Sequence, residues 1–95
     1  MMNVDKMQDI TGFYQELLLV IRAAIGSSLS RHEAEKKAMI NAWLGKAGRA
    51  RHCRAHRKNE ILSMYDEVEQ HSLINLERRV RTLHENCLLI LEEIR

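Results

Sequence analysis

The sequence predicts an all-α protein: a helical hairpin plus a long C-terminal heptad helix, forming a helical bundle or coiled coil that is dimeric. Three observations carry this. The chain contains no proline and only 4% aromatic residues, while strong helix formers dominate the rest. Two long stretches repeat apolar residues at alternating steps of three and four, which gathers them on one side of a helix. At 95 residues the chain makes one domain, or half of a dimeric one. A domain of this size buries only about two thirds of its unfolded surface, and pairing with a copy is a common remedy.

The first helix is expected at about 5–26. Asp5 can cap its first amides, with Gln8 at the reciprocal position. Met7, Ile10, Tyr14, Leu17, Ile21 and Ala24 form its stripe, and Phe13, Leu18, Val20 and Ile25 widen it. A surface that broad calls for more than one neighbour. Gly12 weakens the helix interior by about 1 kcal/mol relative to alanine. Gly26, with Ser27 and Ser28 behind it, is expected to end the helix as a left-handed C-cap.

The second helix is expected at about 30–46. Ser30 and Glu33 have the spacing of a capping box, and Leu29 that of a hydrophobic staple. Ala34, Ala38 and Ala42 make a small-residue stripe that would admit a neighbouring helix, and Met39, Trp43 and Ala47 a second row beside it. Gly45 and Gly48 mark the end. A basic connector follows at about 47–58, with no apolar periodicity and no good N-cap before Asn59. It reads either as a loop or as the exposed first turns of the third helix; if helical, it places Arg51, Arg54 and Lys58 on one face.

The third helix is expected at about 59–94, a rod of roughly 50 Å. Its seam is Leu73, Leu76, Val80, Leu83, Cys87, Ile90 and Ile94. With Tyr14, Leu17 and Ile21 of the first helix, these are the residues expected to build the core and dimer seam. Taking Leu73 as position a leaves mostly leucine at d, a pattern that leans towards two parallel strands. Ile61, Met64 or Tyr65, and Val68 follow a different frame, and the polar run Glu69–Ser72 lies at the shift. A break near 70–72 would make a fourth helix. Leu88, Leu89 and Leu91 add apolar surface off the seam.

Charge is segregated along the chain. Residues 1–35 hold three Lys or Arg and five Asp or Glu, a net −2. Residues 36–59 hold eight cations and no acid, a net +8. Residues 60–95 hold four cations and eight acids, a net −4. The total of +2 conceals a basic middle between acidic flanks. Asp5 and Asp9 stand where a secretory leader would be basic. The apolar run 17–25 is short and carries Arg22, so it does not suit a bilayer. A cytoplasmic chain without membrane contact, its two thiols reduced, is the expectation.

Dense cations attract phosphates or an acidic protein surface. Trp43, Lys46, Arg49, Arg51, Arg54, Arg57 and Lys58 are therefore the candidate partner-binding residues. The stretch lacks Asn or Gln for reading adenine edges, and no aromatic residue interleaves it. A protein partner with an acidic surface is the first reading, and a nucleic acid held by residues 46–58 the alternative. Cys53, His56, His84 and Cys87 have the residue types of a Cys2His2 zinc site, but a straight helix would hold the two pairs about 45 Å apart. No metal or other cofactor is expected. Cys53 beside Arg51, Arg54 and His56 has surroundings that favour a thiolate, though no orienting acid accompanies it. There is no glycine-rich phosphate loop and no nucleophile elbow. The chain reads as a non-enzymatic regulator, adaptor or chaperone.

Overall fold

Among the described residues four helices follow one another: α1 (Val4–Ile25), α2 (Glu33–Gly48), α3 (Ala55–Gln70) and α4 (Leu73–Ile94). The computed structural model describes residues 3–28 and 32–95. The Ser30 capping box and the Leu29 staple lie outside the described residues. The helices form a bundle with a Cα radius of gyration of 13.6 Å, slightly above the roughly 12 Å of a round domain this long.

The N-terminal cap of α1 is Asn3 rather than Asp5. Its side-chain oxygen accepts from the Asp5 amide at 2.9 Å and the Lys6 amide at 3.4 Å. Asn is among the strongest N-caps, because it satisfies amides that no helical carbonyl can reach. At the other end, Gly26 has φ −82° and ψ −2°, in the right-handed region and not the left-handed one expected of it. The open carbonyl end of α1 is held instead by Lys36, whose Nζ donates to the Ile25 carbonyl at 2.7 Å. A cation at a helix C-terminus also interacts favourably with the macrodipole.

The expected 59–94 rod is two helices. Ser72 caps α4, accepting from the Asn75 amide at 3.3 Å. Glu33 of α2 adds a second cap, accepting from the Leu73 amide at 3.0 Å. The physical reason lies in the frame shift. Ile61, Met64 and Val68 are buried on α3, and Leu73, Leu76 and Val80 on α4. One unbroken helix would carry these two sets on different faces, whereas a break at His71–Ser72 turns both towards one core.

The core joins all four helices. Phe13, Leu17 and Ile21 of α1, Ile40 and Leu44 of α2, Met64 and Val68 of α3, and Leu76 and Val80 of α4 are its fully buried members. The most extensive contact is α1 on α4, and α1 also touches α2 and α3. The α4 seam is thus covered by α1 of the same chain. The buried residues of α4 are Leu73, Leu76, Val80, Cys87 and Leu91; Leu83, Ile90 and Ile94 are half-buried. A straight helix drifts about 20° per heptad, so by its last turns the inward side has moved from the Ile90 and Ile94 line to Cys87 and Leu91. On α2 the alanine stripe fails similarly. Ala34, Ala38 and Ala42 are exposed, because Ile40 and Leu44 offer more apolar area to the core.

Gly12 offers a direct check on this packing. A Cβ built there meets nothing within 4 Å, and the residue lies inside α1. Gly12→Ala is expected to raise unfolding stability by about 1 kcal/mol, read as a higher urea midpoint with unchanged slope.

Candidate functional site

The basic connector is shorter than expected. α2 continues through Gly48 and α3 begins at Ala55, with Arg54 at the N-cap position, where its side chain makes no capping bond. Residues 49–54 alone form the linker, so Arg51 is not on a helix, and Arg57 and Lys58 lie in the first turns of α3. Cations at a helix N-terminus oppose the macrodipole, and the first turn of α3 contains no acid. The missing anion comes from α1. Asp9 accepts from Arg57 Nη2 and stands 2.6 Å from His56 Nε2. Burial pushes the Asp9 carboxyl up, but the hydrogen bonds and charges of His56 and Arg57 outweigh it and hold the carboxyl below the usual aspartate range.

A second tie lies deeper between the same helices. The Tyr14 hydroxyl donates to the Glu60 carboxylate. Burial and that carboxylate push the Tyr14 phenol above its ordinary range. Burial, with Glu60 adding, also raises the Cys87 thiol, so Cys87 serves as a small apolar core residue.

Around this clamp lies a cleft of about 530 Å3, lined by Asp5, Gln8 and Asp9 of α1, by linker residues Ala50–Arg54, and by Arg57. Arg51 and Arg54 are exposed. A second groove, of about 310 Å3, runs between α2 and α3. It is lined by Leu44, Gly45, Gly48, Ile61, Leu62 and Tyr65, together with Arg49 and Lys58. The expected basic surface is therefore divided between two depressions. Trp43 is half-buried and stacks on Phe13, ring centroids 5.8 Å apart and planes at 26°. It thereby ties α2 to the core. Lys46 is exposed and lines neither depression.

The cations of 36–58 have different duties. Lys36 caps α1 and Arg57 pairs with Asp9. Among the described residues Lys37, Lys46, Arg49, Arg51, Arg54 and Lys58 have no ion-pair partner. Four of these line the two depressions.

The zinc constellation is not assembled. Among the described residues no group of three or more His, Cys, Asp and Glu side chains is placed to hold a metal ion. His56 is engaged with Asp9, and Cys87 is in the core. Cys53 is half-buried, with Sγ 3.8 Å from the Arg54 carbonyl oxygen. Sequence reasoning missed Asp9 as the partner of α3 and Leu62 as part of a groove. Leu62 carried a signal, being a leucine out of phase with Ile61, Met64 and Val68. Asp9 carried none, since its partners lie 47 and 48 residues away.

Asp9 makes the clamp pH-dependent. Its folded pKa is depressed, so its contribution is complete above the ordinary aspartate value and is lost as pH falls through the depressed one. Asp9→Asn is expected to cost about 2 kcal/mol at neutral pH. It should also flatten the loss of stability that the wild type shows on acidification below about pH 4. Denaturation midpoints measured across that range test both expectations.

Comparison with protein-family models, curated proteins and solved structures returned no significant match for the chain.

Proposed function

We propose that this chain is a cytoplasmic, non-enzymatic interaction module that docks a protein partner through an acidic surface. One observation carries the reading: Arg51 and Arg54 line the cleft beside α1 and have no ion-pair partner among the described residues. Cations that a protein needs for its own fold are engaged, as Lys36 and Arg57 are here. Exposed, unpaired guanidinium groups around a concave surface instead suit incoming carboxylates, which they bind bidentately. They also steer encounter with a negatively charged partner.

The alternative is a nucleic-acid-binding regulator using the same cations. The mixed lining of the cleft favours the protein reading. Asp5 and Asp9 share it with Arg51, Arg54 and Arg57. A phosphate backbone would be repelled by those carboxylates, whereas a protein surface can answer both signs.

Charge reversal separates the two readings. Arg51→Glu with Arg54→Glu touches exposed side chains only, so folding should be unchanged by circular dichroism. Tagged wild-type chain is expected to retain an acidic partner from its host at low salt and release it as salt rises, with retention at least about tenfold weaker for the double variant. Gel shifts with DNA and RNA run alongside. Nucleic-acid binding abolished by the same variant would transfer the assignment to the alternative, and no binding to either class at low salt would remove both.

A further inference from the structure

We infer that copies of this chain associate by seating the outer stripe of α4 in the α2–α3 groove of another copy. This goes beyond partner docking by the Arg51 and Arg54 cleft and does not depend on it. The α4 seam is already spent on α1, so this contact uses surfaces the monomer leaves open.

The groove side combines apolar residues with two cations. Leu62 is 67% exposed beside the buried Ile61, and Arg49 and Lys58 line the same groove without ion-pair partners among the described residues. Gly45 leaves room for the Arg49 side chain to lie along the groove: a Cβ there would come within 3.2 Å of the Arg49 guanidinium and 3.3 Å of the Tyr65 hydroxyl.

The α4 side has the complementary pattern. Leu88 is 41% exposed and Leu89 59% exposed. Glu85, Leu88, Leu89 and Glu92 fall at i, i+3, i+4 and i+7, a single helix stripe in which carboxylates bracket two leucines. Glu93 follows Leu89 by one further turn. Glu85, Glu92 and Glu93 are exposed and have no ion-pair partner among the described residues. An amphipathic helix laid in a hydrophobic groove is a recurrent recognition mode, with apolar anchors supplying affinity and flanking charges the register.

Charge complementarity identifies the occupant. A leucine pair bracketed by acids matches a groove lined by leucines, an arginine and a lysine. The two surfaces lie on different helices of one bundle, α4 on one side and α2 with α3 on the other, so they meet between copies and not within one.

Sedimentation velocity over a concentration series tests this. The wild type should associate more at higher concentration and less at higher salt. Leu88→Ser with Leu89→Ser, and separately Arg49→Glu with Lys58→Glu, should each raise the dissociation constant by at least about tenfold. Combining Arg49→Glu and Lys58→Glu with Glu92→Lys and Glu93→Lys should restore association, which a general loss of folding or solubility cannot do. A wild type that stays monomeric throughout overturns the proposal, as does association that either double variant leaves unchanged. Arg51→Glu with Arg54→Glu should leave self-association intact. Failure here while the cleft still holds a partner would therefore sink this contact alone.

Discussion

The apolar seam between α1 and α4 is the constraint on which the molecule depends. Phe13, Leu17 and Ile21 on one helix and Leu76 and Val80 on the other are fully buried, and each such side chain contributes roughly 1.5–3 kcal/mol by leaving water. The two helices come from opposite ends of the chain, so their pairing closes it. α2 and α3 pair with each other and pack against α1, and the basic linker joining them is carried to the surface beside the start of α1.

Polar ties define how the middle helices sit against that frame. Each is a case of one helix supplying what another lacks. Lys36 of α2 answers the open carbonyls of α1, and Glu33 of α2 answers the open amides of α4. Asp9 of α1 supplies the anion that a basic first turn of α3 needs. Helix ends leave such groups unsatisfied by construction, and in a short bundle the neighbouring helices are the nearest source of partners. The functional consequence is selective. Cations used in this way are withdrawn from binding, while Arg49, Arg51, Arg54 and Lys58 stay available, divided between a mixed-charge cleft and an apolar groove.

Much of the fold was legible. The all-α class followed from composition and from the steps of three and four. The breadth of the α1 stripe announced several neighbours, and α1 touches all three other helices. The change of frame between Val68 and Leu73 marked the place where the long helix parts into α3 and α4. What sequence could not show was what each seam would meet. A heptad pattern is equally satisfied by a copy or by another helix of the same chain, and here α1 takes the role. Nor could local pattern find Asp9, which stabilises α3 from a distant part of the sequence. The candidate site was legible as a run of charge and illegible as a shape. Arg57 and Trp43 belonged to the same run yet serve the fold, one in an ion pair and the other in an aromatic stack with Phe13.

Hydrogen exchange on a dilute sample tests most directly whether the α1–α4 seam holds the bundle together. The amides around Phe13–Ile21 and Leu76–Val80 should be the slowest in the protein. They should open together with a single free energy, at rates that do not change on dilution. If α4 instead exchanges far faster than α1, or gains protection only as concentration rises, the seam between these two helices is not what closes the fold.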